Sequence, residues 1–186
     1  MRLWQLASVK YITAPANVLS QLNGALKQQL TPVMFYRFVQ QGDGVGVQSL
    51  KKPTNPQDQV LMEFNAFVPR FALFHHWESM PFEKQCAALF APAFDPLKSV
   101  LVSGFPESST EKKNFVSVHA ETSVKDARIQ VNSGQRGVLL FTQRYQPEWR
   151  ARIDGKPVEV LRCNYLCMGV LVPAGEHDVK FYLESK

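Results

Sequence analysis

Two adjacent histidines and two closely spaced cysteines are the side chains in this sequence best suited to chemistry. His75 and His76 could bind a metal ion, but adjacent strand residues point to opposite faces, so one ion could not reach both without a bulge. We therefore predict one packed and one exposed histidine, and no metal site. Cys163 or Cys167 could act as a nucleophile beside His177, which requires direct contact and a lowered thiol pKa. The strand pattern places Cys167 on the face opposite His177, which argues against that dyad.

The cysteine count limits the redox chemistry. Three cysteines leave at least one free thiol and indicate no disulfide framework. On a continuous strand Cys163 and Cys167 would share a face about 13 Å apart, too far for a disulfide, although a bulge or bend at Asn164 would change that spacing. We predict three reduced, packed cysteines and no disulfide-linked partner.

No other pattern indicates a catalytic or cofactor-binding centre. Ser103-Gly104 and the run Gly42–Gly46 invite a phosphate-binding interpretation, but the run lacks a lysine and a following helix, so we expect a flexible turn. Glycoside hydrolysis needs a pair of acids, and no context singles out a pair among Glu63, Glu83, Asp95 and Glu121. We predict no catalytic residue and no cofactor, and we do not expect this chain to be an enzyme.

Three aromatic residues are the candidates for ligand binding. Aromatic faces suit the C–H surfaces of pyranose sugars, so Tyr145, Trp149 and Tyr165 are our candidate glycan contacts. For Trp149 the alternation of its strand favours the alternative, an anchor in the core. Tyr145, beside Pro147, is the better exposed candidate.

The charge and hydropathy of the chain limit the kinds of partner it is expected to bind. The chain of 186 residues has a formal charge of +5, with scattered lysines and arginines. Nucleic-acid binding usually shows a basic stripe with exposed aromatics, so we predict no nucleic-acid partner; proximity to an anionic membrane surface explains the charge equally well. No apolar run reaches the roughly 18–20 residues that span a bilayer, and the start lacks the apolar core of a signal peptide. The chain as given is expected to be soluble.

The turn at Asp154-Gly155 predicts a β-hairpin. Asp-Gly is favoured in two-residue type I′ turns, which need positive φ at both positions. This turn sets Ala151 opposite Val158, and the other face pairs Arg150 with Glu159. The apolar face of the hairpin then consists of Trp149, Ala151, Ile153, Val158 and Val160.

A second hairpin is predicted at Pro173–Glu176. It would pair Val170 with Val179 and Leu166 with Leu183, with all four turned toward the core. With the preceding apolar run, these strands make a meander of about five, enough for one sheet of a sandwich or a small barrel.

The rest of the chain mixes helices, strands and loops. We predict helices from Asn17 to Leu30 and from Phe82 to Phe90, a long loop at Gln41–Gln59 and an exposed loop at Pro106–Lys113. The predicted strands are Val9–Ile12, Val33–Val39, Val60–Phe67, Arg70–Trp77, Ser99–Ser103, Phe115–Ala120, Ala127–Val131 and Gly137–Thr142.

The predicted fold is mainly β. A smaller α+β segment, residues 1–95, is expected to pack on an antiparallel β-sandwich of the jelly-roll or immunoglobulin-like kind, residues 96–186. The alternative is one continuous domain.

The stretch TQRYQPEWRARIDGKPVEVLRCNYLCMGVLVPAGEHDVKFYL resembles the C-terminal extracytoplasmic region of the bacterial YfhO-type membrane protein family, which typically carries YYPGW, DGK and VPAGEH motifs in that order. Weaker echoes occur at Leu6–Ile12 and Pro69–Ala72, and Glu148 stands where the family usually has glycine. The matching positions are Tyr145, Pro147, Trp149, Asp154, Gly155, Lys156, Asn164, Val170, Val172, Pro173, Ala174, Gly175, His177, Val179, Phe181 and Tyr182.

The resemblance implies a fragment of a polytopic membrane protein. Members resemble lipid-linked-sugar glycosyltransferases that decorate cell-envelope polymers, with catalytic carboxylates on loops between membrane helices that this chain lacks. It would then be a non-catalytic accessory domain on the extracytoplasmic face of the bacterial cytoplasmic membrane. Its partners would be the rest of its own membrane protein and a cell-envelope glycan. The alternatives are a free-standing carbohydrate- or protein-binding β-sandwich and a small cytosolic enzyme that uses a cysteine.

Overall fold

A computed structural model describes residues 1–105, 107–109 and 115–184, which are mostly β, with a small helical part near the N-terminus, as predicted. The helices are α1 (Arg2–Leu6), α2 (Leu19–Ala25) and α3 (Phe82–Phe90). The strands are β1 (Tyr11–Pro15), β2 (Leu30–Gln41), β3 (Gly44–Leu50), β4 (Gln59–Phe64), β5 (Phe71–Phe74), β6 (Trp77–Ser79), β7 (Val100–Ser103), β8 (Val116–Ser117), β9 (Ala120–Thr122), β10 (Asp126–Ser133), β11 (Gly137–Arg144), β12 (Trp149–Ile153), β13 (Lys156–Val158), β14 (Leu161–Cys163), β15 (Cys167–Val172) and β16 (Gly175–Leu183).

Residues Val9–Phe67 belong to the first of two units. Four antiparallel strands make its sheet, in the order β1-β4-β2-β3. The loop between β3 and β4 is held by Asp58, whose carboxylate accepts hydrogen bonds from the Thr54 backbone N–H and the Arg37 guanidinium. Alternate residues of β4 are fully buried, namely Val60, Met62 and Phe64.

The second unit comprises Arg2–Ser8 and the chain from Val68 onward. It contains a five-stranded sheet, in the order β13-β12-β16-β10-β9, and a seven-stranded sheet, in the order β6-β7-β14-β15-β11-β5-β8. The inward side chains of both sheets share one apolar core, which includes Phe181 from the smaller sheet and Phe141 from the larger. The second unit is therefore a β-sandwich.

The seven-stranded sheet is covered on its outer face as well. Phe74, Leu140 and Cys163 belong to a second apolar cluster that contains none of the residues of the sandwich core. Leu89 of α3 packs with Leu101 of β7 in a third cluster. Because β11 contributes to clusters on both faces, its sequence is a continuous apolar run rather than an alternation.

Helix α1 is fastened to the end of α3 by Arg2. Its guanidinium donates hydrogen bonds to the backbone carbonyls of Leu89 at 3.0 Å, Ala91 at 2.7 Å and Phe94 at 2.7 Å. Carbonyls at the end of a helix lack partners within it, and a cation there also interacts favourably with the helix dipole. The first helix is thereby fixed within the second unit.

The Asp154-Gly155 turn is confirmed. Asp154 and Gly155 have positive φ values of 51° and 76°, and β12 pairs with β13 in the predicted register. The predicted partner of Arg150 was wrong: its guanidinium lies 2.7 Å from the carboxylate of Glu184 rather than pairing with Glu159. The reason is that β12 also pairs with β16, which brings the end of the chain alongside Arg150.

The second predicted hairpin was wrong. Pro173–Glu176 carries the chain from one sheet to the other, since β15 pairs with β11 and β14 whereas β16 pairs with β10 and β12. Gly175 has a φ of 127°, which side chains rarely adopt, and there the chain enters β16. Val170 and Val179 both face the core, as predicted, but they do so from opposite sheets.

Other elements differ in length from their predictions. The predicted helix from Asn17 to Leu30 stops at Ala25, and Lys27 takes a positive φ of 54° before β2 begins. The predicted loop at Gln41–Gln59 contains β3. Helix α3 has the predicted bounds, and β4, β7, β10 and β11 lie within a few residues of theirs.

Two predictions concern the middle of the chain. Most of the predicted loop at Pro106–Lys113 lies outside the described residues. The two units divide between Phe67 and Val68, whereas the sequence predicts a boundary between residues 95 and 96. The difference arises because β5 and β6 pair with strands of the seven-stranded sheet.

Truncation of Phe181 tests the shared core. Phe181 is fully buried, so we expect Phe181→Ala to lower the free energy of unfolding by about 3–5 kcal/mol. Phe90→Ala is the control, because Phe90 is 54% exposed, and it should cost less than about 1 kcal/mol. All three tryptophans lie in the second unit, so tryptophan fluorescence during urea unfolding reports on it. Equal losses for the two variants would contradict the assigned core.

Candidate functional site

Two of the three candidate glycan contacts meet in one stack on the sandwich. The ring of Tyr165 lies parallel to that of Phe82, with 4.7 Å between centroids and an angle of 9°. The Arg162 guanidinium carbon lies 4.4 Å from the Phe82 centroid and 4.6 Å from the Tyr145 centroid. We call these four residues the aromatic–arginine stack. Arg162 is exposed and the three rings are half-buried, so the stack presents both aromatic surface and cationic donors.

The turn between β14 and β15 sets the position of Tyr165. Asn164 and Tyr165 have φ values of 46° and 68°, a conformation that asparagine tolerates and tyrosine rarely adopts. The turn is held from two sides, because the Asn164 side-chain oxygen accepts the backbone N–H of Leu101 and the Gln85 side-chain oxygen accepts that of Tyr165. Packing and hydrogen bonds therefore hold the ring where an isolated hairpin would not.

Tyr145 follows β11 directly. Its backbone N–H donates to the carbonyl of Leu166 at 2.8 Å, and its ring packs against the sandwich core on one side. The Arg162 guanidinium lies over that ring. Tyr145 is thus held between the core and Arg162, with part of its surface open to solvent.

Trp149 lies in the core. It is 6% exposed, and its ring meets Phe141 edge to face with 5.8 Å between centroids. Its indole nitrogen is buried and has no hydrogen-bond partner among the described residues. These observations correspond to the core-anchor interpretation of Trp149, and the structure does not bring it into the aromatic–arginine stack.

A groove of about 550 Å³ adjoins the stack at Tyr165. Its walls come from α1, α3, the end of β11 and the turn between β14 and β15, and most of the lining side chains are apolar. Leu166, predicted to face the core, instead lies in this turn with 59% of its surface exposed, because β15 does not pair with β16. Leu3 and Phe90 are exposed at the same groove, by 63% and 54%.

The adjacent histidines have different environments. His75 is buried and its Nδ1 lies 3.2 Å from the carbonyl oxygen of Arg136, whereas His76 is half-buried. Within the described ranges, no group of three or more histidine, cysteine, aspartate or glutamate side chains has the arrangement of a metal site.

The two paired cysteines are buried. Cys163 and Cys167 lie directly opposite each other on β14 and β15, because the chain turns at Asn164 instead of continuing as one strand. Burial raises the pKa of both thiols, that of Cys167 to about 11. A nucleophilic cysteine needs the opposite shift, and His177 lies on the other sheet. The bend at Asn164, the alternative to a continuous strand with a spacing of 13 Å, is therefore the one observed, and the described structure brings neither cysteine to His177.

His177 instead links the start of β16 to the Asp154-Gly155 turn. Its Nδ1 lies 2.7 Å from Oδ2 of Asp154, and Oδ1 of Asp154 accepts the backbone N–H of Asp178 at 2.9 Å. The bond to His177, followed by that from Asp178, lowers the pKa of Asp154. The bond to Asp154, followed by that to the Ala174 carbonyl, raises the pKa of His177.

Sequence reasoning missed two members of the stack, Phe82 and Arg162. Arg162 alternates with two buried neighbours on β14, so its outward direction could have been read from the pattern. Phe82 begins a correctly predicted helix, but the sequence contains no signal that this helix lies beside a turn some 80 residues later.

Comparison with protein families matches residues 103–183 to a family described as bacterial membrane protein YfhO. Residues 103–183 are thus similar to the YfhO family. No curated protein and no solved structure gave a match. The YfhO match confirms the resemblance of the Asp-Gly and VPAGEH motifs, and it covers Tyr145, Arg162 and Tyr165 but not Phe82.

The YfhO family is one of membrane proteins, so this domain is associated with a membrane protein. In the described part of the chain, each helix is too short or too polar to cross a bilayer. Asp154 and His177, which lie within the matched region and its shared motifs, are hydrogen-bonded to each other.

The Asp154–His177 bond should make stability depend on pH. The folded-state pKa of His177 is raised, so its contribution to stability is fully present below about pH 6.5 and is lost as the pH rises through the raised pKa. The folded-state pKa of Asp154 is lowered, so its contribution is fully present above about pH 4 and is lost as the pH falls through the lowered pKa. We therefore expect His177→Gln to lower the urea midpoint more at pH 5.5 than at pH 9.

Asp154→Asn is the matched partner variant, because Asn-Gly also favours a type I′ turn. It should reduce the urea midpoint at pH 5.5 in the same way, and the double variant should add little to either single change. A loss in His177→Gln that does not change between pH 5.5 and pH 9 would show that the ion pair is not the cause.

Thiol labelling tests the cysteine environments. In the folded chain at pH 8 we expect an alkylating reagent to modify only Cys86, which is exposed, and to modify all three cysteines in urea. Mass spectrometry of digested protein identifies the labelled positions, with Cys86→Ser as the control that should remain unlabelled when folded. Rapid native labelling of Cys163 or Cys167 would contradict their burial and revive the cysteine-enzyme hypothesis.

Proposed function

We propose that this chain is a non-catalytic, extracytoplasmic accessory domain of a YfhO-like membrane glycosyltransferase that modifies cell-envelope glycans, and that it contacts the acceptor glycan. The family match supports a membrane-protein setting, and the proposed side of the membrane comes from the resemblance of the motifs. The rest of the same membrane protein is the proposed partner.

The aromatic–arginine stack is the observation that carries the glycan contact. Tyrosine faces accept the C–H surfaces of a pyranose, and a guanidinium donates several hydrogen bonds to hydroxyl or carboxylate oxygens. Tyr165 supplies an aromatic face, the exposed part of the Tyr145 ring adds aromatic surface, and Arg162 supplies the donors within one surface cluster. This combination of flat apolar surface and fixed polar groups suits a sugar better than it suits a purely apolar ligand.

The packing of the stack favours binding as well. Arg162 is held between two rings at 4.4 and 4.6 Å, so less rotamer freedom is lost when a ligand binds than for an arginine free in solvent. The adjoining groove extends the surface beyond Tyr165 and could hold the neighbouring unit of a polymer. A shallow site of this kind binds one sugar weakly and gains from repeated contacts along a chain.

A free-standing carbohydrate- or protein-binding β-sandwich is the alternative. It is favoured by the fact that the stack and the groove lie within one unit of the chain, so neither requires a second segment. The two proposals differ in gene structure. Membrane-spanning segments encoded in the same open reading frame support the accessory domain, and their absence supports the free-standing module.

A glycan array followed by calorimetry tests the contact. We expect Tyr145→Ala and Arg162→Gln each to lower the affinity for the bound glycan by about tenfold, since either change removes an interaction of roughly 1–2 kcal/mol. Tyr145→Phe keeps the aromatic face and should retain binding. Tyr11→Ala is the matched control, because Tyr11 is 52% exposed and also has a cation near its ring, from Lys10 at 5.0 Å.

Circular dichroism and thermal melting of each variant separate a lost contact from a lost fold. The glycan proposal would fail if no glycan bound the unmodified chain. It would also fail if Tyr145→Ala bound as tightly as Tyr11→Ala while both remained folded.

A further inference from the structure

Three cations lie side by side on the outer face of the five-stranded sheet. Arg128 on β10 and Arg152 on β12 are both register partners of Lys180 on β16, so the three side chains form one row across adjacent strands. Their neighbours along each strand, such as Ile129 and Phe181, point into the core, which fixes the row on the solvent side. We call these three residues the cationic row.

The two like-charge pairings within the row are unfavourable by themselves. Like charges directly opposite each other on paired strands repel and destabilise the sheet. Arg150 on the same face is neutralised by Glu184 at 2.7 Å. Among the residues that the structure describes, no carboxylate lies within 4.0 Å of a charged nitrogen of the row.

Three acidic groups surround the row. Asp178 lies beside it and accepts a hydrogen bond from Gln130 at 3.2 Å, and Glu121 is the register partner of Arg128 on the other side. Asp126 precedes the row on β10. Glu121 lies on the edge strand β9, whereas Asp178 and Asp126 lie on the same central strands as Lys180 and Arg128.

A surface depression of about 370 Å³ lies over the row. It is lined by the three cations, Asp178, Tyr182 and Gly155, so its charged lining groups are three positive and one negative. The missing side chain of Gly155 leaves the rim open. The Tyr182 hydroxyl accepts a hydrogen bond from Arg152 Nε at 3.4 Å, and the ring lies 5.7 Å from that guanidinium. The depression therefore combines cationic donors with one aromatic ring.

From these observations we infer that the cationic row binds the phosphate group of a phosphate ester. Such a group offers three acceptor oxygens, and arginine recognises phosphate with paired hydrogen bonds. A carboxylate has two oxygens and would leave part of the row unmatched. The depression also accommodates a sugar or glycerol attached to the phosphate, beside Tyr182. This site lies on a different sheet from the aromatic–arginine stack, so it is independent of the proposed glycan contact.

Titrations followed by ¹H–¹⁵N spectra test the site. We expect glucose 1-phosphate to shift the backbone amides of β10, β12 and β16 and glucose to leave them unchanged. Lys180→Gln should weaken this binding about tenfold or more, since it removes a charge-assisted hydrogen bond. Lys84→Gln removes the same charge from the exposed face of α3 and should have no effect.

A second experiment with lipid vesicles identifies which kind of molecule carries the phosphate. Sedimentation of the chain with phosphatidylglycerol vesicles, but not with phosphatidylcholine vesicles, together with its loss in Lys180→Gln, would assign the ester to a lipid headgroup. Binding of glucose 1-phosphate alone would assign it to a phosphorylated saccharide.

Thermal melting provides a second readout that a structural role would not give. If the row exists for a ligand, Lys180→Gln should raise the melting temperature while it weakens binding, because it relieves the repulsion across three strands. The inference would be overturned by the absence of binding to every phosphate probe, by equal losses in Lys180→Gln and Lys84→Gln, or by a lower melting temperature in Lys180→Gln.

Discussion

Strand β16 lies between β10 and β12, and the rest of the sandwich depends on this double pairing. Its alternate residues Val179 and Phe181 enter the core, where they meet side chains of the opposite sheet. The residues between them, Lys180 and Tyr182, are held by the same hydrogen bonds on the outer face. One strand thus fixes the core and one of the two candidate ligand surfaces, and a shift of one residue would exchange the two faces.

The motifs that identify the family meet around this strand. The Asp154 carboxylate accepts hydrogen bonds from the His177 ring and from the Asp178 backbone N–H. The backbone N–H of Asp154 donates a hydrogen bond to the carbonyl of Asp178. The Asp-Gly turn therefore ends β12 and also fixes the start of β16. This contact gives a structural reason for the Asp-Gly and VPAGEH motifs to occur together in one sequence.

The sequence predicted which side of a strand faces the core better than it predicted which strands lie next to each other. Alternation placed Val170 and Val179 in the core correctly, yet it could not tell that they belong to different sheets, because period-two patterning is the same for a hairpin and for a sheet crossing. The Asp154-Gly155 turn was predictable since its chemistry is local. The meeting of Phe82 with Tyr165 was not, since it depends on how α3 packs against a turn distant in sequence.

The two candidate surfaces differ in what they explain about the fold. The aromatic–arginine stack stabilises the structure by itself: its ring contacts and the Gln85 hydrogen bond hold a turn that contains two positive φ angles. Its presence is therefore accounted for without a ligand. In the cationic row, by contrast, like charges lie directly opposite each other across two strand pairings, which destabilises the sheet. The pairing of Arg128 and Arg152 with Lys180 therefore supports a bound anion more directly than the aromatic–arginine stack supports a bound sugar.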